Sequence, residues 1–253
     1  MKFSIITVVL NSKSTIEDAI LSVSTQDHRD IEHIIIDGGS TDGTLSVIDK
    51  YTDRLAKVIS GRDLGIYDAM NKGLRLAKGN IIGFLNSDDL YANTHIISEV
   101  NSIFEQNKAD AVFGDLVYVS PQDLDHIVRY YQSKHFSPRR LCKGIMPAHP
   151  TLFLHRSVYE KYGYFKTDYR IAADFEFVAR IFKDNKLEYQ YIPKVMIKMR
   201  MGGTSTKNFI SNWTLNLEIL KACKENGIPT NLLQIYSKYP QKMLGVIKKG
   251  VNV

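Results

Sequence analysis

The sequence predicts an α/β fold built on a mostly parallel central sheet flanked by helices. Strand-like and helix-like segments alternate through the first 90 residues, the pattern of repeated strand–helix–strand units. The opening run from Phe3 to Leu10 is apolar without polar alternation, as expected for a strand covered on both faces. The strand-like runs also give way, at or soon after their ends, to Asn11, Asp37, Asp63 and Asp88. Open parallel sheets bind ligands outside those ends.

Each element follows from local pattern. After Asn11, Ser14-Thr15-Ile16-Glu17 reads as a capping box, and Ile16, Ala19, Ile20 and Val23 recur at helical spacing. Glu32 to Ile36 is the next strand, ending at Asp37. The polar run Gly38 to Thr44 makes a tight turn, and Leu45, Ile48 and Leu55 fit one face of a second helix. Lys57 to Ser60 is a third short strand. Ala69, Met70, Gly73, Leu74 and Ala77 predict a helix from Ile66 that feeds a strand from Asn80 to Leu85. Beyond Asp89 the pattern becomes that of a mixed sheet: a helix from about Thr94 to Asn107, strands near Ala111–Gly114, Leu116–Val119 and Ile127–Tyr131, and short helices over Ser157–Tyr162 and Asp174–Asn185. Tyr189–Ile192 and Val195–Met199 are strand-like, with Pro193 marking an edge or break. Met201 to Thr206 reads as a flexible loop, followed by amphipathic helices over Phe209–Glu225 and Leu232–Ile247.

A chain of 253 residues with 44% hydrophobic and 24% charged residues suits one main domain with a C-terminal extension. The apolar opening stops at Asn11, too short for a membrane span and without a small-residue cleavage site, so a cytoplasmic protein is expected. Cys142 and Cys223 lack metal-ligand spacing and read as free thiols. The net charge of +6 is uneven: from Lys198 onward nine Lys and Arg face two Glu, a local +7 that leaves −1 for the rest. A basic tail on a nearly neutral body suits an acidic surface, anionic lipid or nucleic acid, or simply a solvated face. The charge is terminal and no nucleic-acid motif accompanies it, so nucleic acid is not the expected partner.

The most chemically informative stretch is Asn86-Ser87-Asp88-Asp89, directly after an apolar run. In an extended chain Asn86 and Asp88 lean to one side, Ser87 and Asp89 to the other. Asp88 is the first-choice ligand for a divalent cation held against a diphosphate, although acidic pairs at strand ends also form turns and helix caps. No G-x-G-x-x-G follows the first strand and no G-x-x-x-x-G-K-[ST] occurs anywhere. A dinucleotide oxidoreductase and a P-loop NTPase are thereby disfavoured.

Ser4 to Asn11, Asp37-Gly38-Gly39-Ser40-Thr41-Asp42-Gly43-Thr44 and Asn86 to Asp89 together resemble glycosyltransferase family 2 in order and spacing. Asp63 to Gly73 resembles a branch found in bacterial exopolysaccharide, capsule and lipopolysaccharide assembly. The resemblance covers roughly the first 205 residues. It implies a glycosyltransferase-A catalytic domain over 1–206, with a Rossmann-like nucleotide-sugar half (1–90) and an acceptor half (91–206), before a helical basic extension over 207–253. It further implies a nucleotide-sugar donor, usually a UDP-sugar, with Mn²⁺ or Mg²⁺, and inversion at the anomeric carbon. The acceptor would be a glycan or lipid-linked oligosaccharide at the inner face of the membrane. Homo-oligomerisation stays open.

The resemblance also assigns roles. Asp37 matches an aspartate that accepts from the base N–H, and otherwise reads as a capping carboxylate. Thr7 and Val8 line the base pocket, and Asn11 and Ser87 join the nucleotide contacts. Asp88 matches the metal-binding member of the D-x-D motif, whose first member is Asn86 here; Asp89 reads as a supporting residue. Met70 stands where many members place arginine before the residue matching Asn71, and Arg62 is a candidate substitute. Asp174, in Ala172-Ala173-Asp174-Phe175-Glu176, matches the general base, with Ala173 where glutamate is common; alone it would read as a helix cap. His149 resembles a recurrent histidine that could line the acceptor pocket. Gly202, Gly203 and Thr204 resemble a loop that folds over the diphosphate. Asn86 and Ala173 keep open a second reading, a nucleotide-sugar-binding protein without catalysis.

Overall fold

The computed structural model describes residues 1–106, 108–202 and 209–239, with the side chains of 209–211 left aside. The N-terminal part runs β1 (Phe3–Val9), α1 (Ile16–Ser24), β2 (Ile31–Asp37), α2 (Thr44–Ile48), β3 (Lys57–Ser60), α3 (Ile66–Leu76) and β4 (Ile81–Phe84). The rest runs β5 (Asp89–Tyr91), α4 (Ile96–Gln106), β6 (Ala111–Val119), β7 (Ile127–Tyr131), β8 (Phe153–His155), α5 (Arg156–Tyr162), α6 (Ala173–Phe182), β9 (Tyr189–Arg200), α7 (Phe209–Glu225) and α8 (Leu232–Tyr236).

All the described strands join one sheet in the order β3-β2-β1-β4-β8-β6-β9-β5, with β7 against β6. β3, β2, β1 and β4 are parallel to their neighbours, whereas β8 and β7 pair antiparallel and β9 runs parallel to β6. The change of character after Asp89 thus marks the passage from a parallel to a mixed sheet. Helices cover both faces. Ile6, Val8, Ile34 and Ile36 meet α3 and α6 on one side, while Phe3 and Ile5 meet α1 and α4 on the other. Burial on both faces is why β1 and β2 carry continuous apolar runs.

Four local expectations change. Thr15, not Ser14, precedes α1, and no side chain caps the helix; the Ser12 carbonyl accepts from the N–H groups of Thr15 and Ile16, and Glu17 instead accepts from the Tyr51 hydroxyl. The second helix stops at Ile48, because Asp49–Arg54 tightens to 3₁₀ geometry around a non-helical Tyr51; Leu55 still packs with Ile48 from extended backbone. The split strands fuse into β6 and β9. Between Phe113↔Tyr191 and Asp115↔Val195 the ladder shifts register, so an irregularity absorbs Pro193, which has no N–H to donate. At that point a Cβ on Gly114 would lie 2.4 Å from Met196 Sδ and 3.0 Å from the Lys194 carbonyl.

The helix expected over Phe209–Glu225 is α7. Its Ile219, Ala222 and Cys223 sit in the same core as α6, while Trp213 and Leu217 remain 54% and 40% exposed. Of the helix expected over Leu232–Ile247 the described residues contain α8, and the remainder lies outside them, as does Asn107 at the end of α4. Cys142 and Cys223 are free thiols. No described helix is long and apolar enough to cross a membrane.

Candidate active site

Strand order locates the crevice. The chain steps from β1 outward to β2 and β3, then returns to place β4 on the other side of β1. Such a reversal leaves a cleft beyond the carboxyl ends of the two central strands, unobstructed by a crossing connection. The loops after β1 and β4 meet there: Ser87 Oγ lies 3.0 Å from Ser12 Oγ. Asn11, in the left-handed region at φ +52°, accepts from Thr41 N–H at 2.9 Å, tying the β1 loop to the loop after β2.

Asp37 anchors that second loop. It is fully buried, and its carboxylate accepts from Gly39 N–H at 3.1 Å, from Ser40 N–H and from Ser60 Oγ at 2.7 Å. Asp63 packs close beside it: a Cβ on Gly38 would come within 2.6 Å of Asp63 Oδ2, so a larger residue there would displace that carboxylate. Arg62 is exposed next to this turn. Thr7 is fully buried with its hydroxyl 2.9 Å from His33 Nε2, so only its backbone is left to meet a base. Val8 is buried in the core shared with α3. Burial lowers the His33 pKa to about 3, which keeps the imidazole neutral inside the sheet.

Asn71 departs from its expected place at the donor. It is buried, and its amide is spent on the backbone of Phe165, donating to the carbonyl at 2.8 Å and accepting from the N–H at 3.0 Å. It therefore fastens α3 to the loop between α5 and α6. Met70 beside it is a core residue.

Asp88 and Asp89 divide into an accessible and an inaccessible carboxylate. Asp88 is half-buried, and burial pushes its carboxyl above the usual range. Asp89 is fully buried at the start of β5. Burial and the neighbouring Asp88 hold its carboxyl well above the usual range. Asn86 Nδ2 donates to Asp89 Oδ2 at 2.8 Å, while Asp89 Oδ1 has no partner. Arg200, nearly buried at the end of β9, donates to the Asp88 carbonyl at 2.8 Å and pairs with Asp18. Its charge opposes the rise at both acids. Gly202 follows in a turn at φ +111°; Gly203 and Thr204 lie outside the described residues.

The third group lies beyond β4. His149 stacks on Phe84 with centroids 5.9 Å apart, and neither ring nitrogen has a protein partner or contact with solvent. Burial lowers its pKa while Asp174 raises it. Asp174 stands in the first turn of α6, behind Ala172 at the cap position. It is half-buried, and desolvation pushes its carboxyl up against the pull of His149. Tyr67 closes this corner by donating to the Ile171 carbonyl. A cavity of about 310 Å³ opens alongside, lined by Leu64–Asp68 and Thr167–Arg170.

The sequence over residues 4–163, which carries the parallel strands and the acids after β4, matches the family described as Glycosyl transferase family 2. The chain belongs to glycosyltransferase family 2.

Relatives agree. A PGL/p-HBAD biosynthesis glycosyltransferase of Mycobacterium bovis is 30% identical over 230 residues, covering 87% of this chain and 82% of that one. An uncharacterized glycosyltransferase of Haemophilus influenzae is 25% identical over 237 residues, covering 88% of this chain and 72% of its own. Among solved structures, S. aureus TarS 1-349 in complex with UDP-GlcNAc matches with a TM-score of 0.74 at 19% identity, covering 96% of this chain and 73% of that one. A mannosyltransferase from Pyrobaculum calidifontis in complex with GDP-Man and Mn²⁺ matches with a TM-score of 0.61 at 17% identity, covering 98% and 81%. This chain spans 44% of a longer TarS chain that it also matches. The fold is that of the glycosyltransferase-A enzymes.

Within this family-2 fold, sequence motifs pointed to Asp37, Asp88, Asp89, His149 and Asp174, but not to Arg200 or Tyr67. Arg200 sits between two apolar residues and a glycine loop, and Tyr67 lies on a helix whose periodicity explains it as core. Only their partners reveal them.

Proposed function

We propose that this family-2 protein is an inverting glycosyltransferase that moves a sugar from a nucleotide sugar to a hydroxyl of a glycan or lipid-linked acceptor, with Asp174 as the general base. The observation that carries the reading is the pairing of a desolvated, half-buried Asp174 with the unpartnered ring of His149. A carboxylate short of solvent is a stronger base than one in water. As the acceptor O–H attacks the anomeric carbon, Asp174 takes the proton and the bond to the nucleoside diphosphate breaks on the opposite side, which inverts the centre. His149, kept neutral by burial, has both ring nitrogens sealed from solvent and acts on Asp174 through its proximity.

The donor side rests on the β1–β4 crevice. Asn11 and Ser87 border it, Asp37 holds the adjoining turn, and Arg62 stands exposed at its edge. The described residues contain no cluster of three His, Cys, Asp or Glu able to hold a metal alone. A hexacoordinate ion that keeps waters and takes phosphate oxygens needs only one or two carboxylates. Asp88, with the unpartnered oxygen of Asp89 behind it, fits that thin protein ligation. When bound, Mn²⁺ or Mg²⁺ would neutralise charge on the leaving diphosphate. TarS binds UDP-GlcNAc and the archaeal mannosyltransferase binds GDP-Man with Mn²⁺, so a UDP-sugar is the first donor to try.

Melting curves with UDP, GDP, dTDP and CMP, with and without Mn²⁺, are expected to show one selective metal-dependent shift. Release of that diphosphate from its sugar should accompany it. A shift without release would instead support the binding-only reading that Asn86 and Ala173 leave open, and no shift at all would refute a donor site.

A role in bacterial surface-polysaccharide assembly is supported by the mycobacterial relative, named for PGL/p-HBAD biosynthesis, and by the basic C-terminal segment, which suits an anionic inner leaflet. Because α7 shares the core of α6, deleting the tail would damage the fold. Paired Trp213→Ser and Leu217→Ser changes on its exposed face are the cleaner test. They should weaken sedimentation with phosphatidylglycerol vesicles at unchanged melting temperature; equal binding would exclude this face as the anchor.

A further inference from the structure

We infer that Glu218, on the C-terminal helix α7, is the positioning residue for the proposed base, an inference that rests on the reading of Asp174 above. Its carboxylate accepts from three successive backbone N–H groups: Arg170 at 2.8 Å on Oε1, with Ile171 at 2.9 Å and Ala172 at 2.8 Å on Oε2. These residues lead into the first turn of α6, and Asp174 follows two residues later. Free N–H groups at a helix start need acceptors, and a carboxylate there also meets the positive end of the helix dipole. From the other side, the Tyr67 hydroxyl binds the Ile171 carbonyl. The loop-to-helix corner that presents Asp174 is thereby held through both donors and acceptor, one set from α7 and one from α3.

The rest of α7 grips the segment farther away. Lys221 pairs with Asp168 at 2.6 Å, Glu225 accepts from Lys166 at 2.7 Å and Tyr169 at 2.8 Å, and Asn226 donates to Glu176 at 3.2 Å. Among the described side chains of α7, Glu218 is the one that bonds the backbone leading into Asp174. The helix is therefore a working part of the acceptor side, although it follows the matched family segment by more than 40 residues.

Glu218→Gln keeps the shape but turns an NH₂ toward at least one backbone N–H, so one or more of the three bonds is lost. A shift of the base by about 1 Å can cost about 100-fold in rate. The test compares Glu218→Gln with Glu225→Gln, which loosens the same helix away from the corner, and with Asp174→Asn. The assay is release of nucleoside diphosphate from the donor that the melting panel selects, with water as acceptor, together with amide hydrogen exchange. Glu218→Gln should lower kcat about 10- to 100-fold with the donor KM within about threefold, and should speed exchange at 170–172. Glu225→Gln should lower the melting temperature comparably with kcat retained. If Glu218→Gln matches Glu225→Gln in kcat, or loses donor KM in step with kcat, the positioning role is overturned. If Asp174→Asn keeps full release, the assignment of the base fails instead.

Discussion

Asp174→Asn is expected to reduce sugar transfer by about 10²- to 10⁴-fold, the range spanned by removal of a general base, while UDP-dependent thermal stabilisation persists. The substitution keeps volume and the Phe175 N–H contact that Asp174 Oδ1 now accepts at 2.8 Å. It deletes only the proton acceptor. Its effect on stability has a definite sign. Because the folded pKa lies above the unfolded one, the folded state holds the proton more tightly, and this group's contribution falls as pH rises from the ordinary carboxylate range through the raised value. Above that window the charged, desolvated carboxylate opposes folding, so the Asn variant should melt at or above the wild type at neutral pH, with the difference fading in acid. Activity runs the other way. The base works ionised, so the acid limb of kcat against pH should lie above the usual carboxylate range and rise with pH. A variant that melts well below wild type, or that retains transfer, removes Asp174 from the mechanism.

Asp88→Asn is the second large effect. It should abolish the Mn²⁺-dependent part of donor stabilisation and lower donor affinity in Mn²⁺ by about 100-fold or more, since perturbing even the outer shell of a metal site costs about 10- to 100-fold. Binding of UDP without metal should change little. Titration calorimetry with UDP, with and without Mn²⁺, reads both quantities, and an unchanged Mn²⁺ increment would exclude Asp88 as the ligand. The same change at Asp89 would be uninformative about metal, because Asp89 is fully buried and already linked to Asn86; its loss would report on packing of the β4–β5 turn.

Much of the fold was legible. α7 matches its expected bounds, as do β3 and β7, and each is followed by polar or turn-forming residues, Asn226-Gly227, Gly61-Arg62 and Gln132-Ser133. The parallel half followed from uninterrupted apolar runs, which only a sheet covered on both faces requires. Boundaries slipped for two reasons: a local turn, in which the Ser12 carbonyl accepts from the Thr15 and Ile16 N–H groups, replaced the cap expected of Ser14, and pairing with β6 accommodated Pro193 by a register shift instead of ending a strand. The site was legible in outline and less so in detail. Thr7 and Asn71 lie in the expected motifs, yet their side chains are occupied by His33 and Phe165, contacts between residues 26 and 94 positions apart. No local pattern carries that information.

By itself the sequence determined the alternation of strands and helices, the polar exits at Asn11, Asp37 and Asp88, and through them the family. Those features depend on short-range spacing, where the period of side-chain burial is written directly into residue order. The tertiary structure alone decided which acid faces the cleft and which is sealed beneath it, that Arg200 stands over the Asp88–Asp89 turn, and that Glu218 of the C-terminal helix holds the corner before Asp174. Desolvation and hydrogen-bond partnership are set by neighbours distant along the chain, so a carboxylate's chemistry emerges only once the sheet and its helices have closed around it.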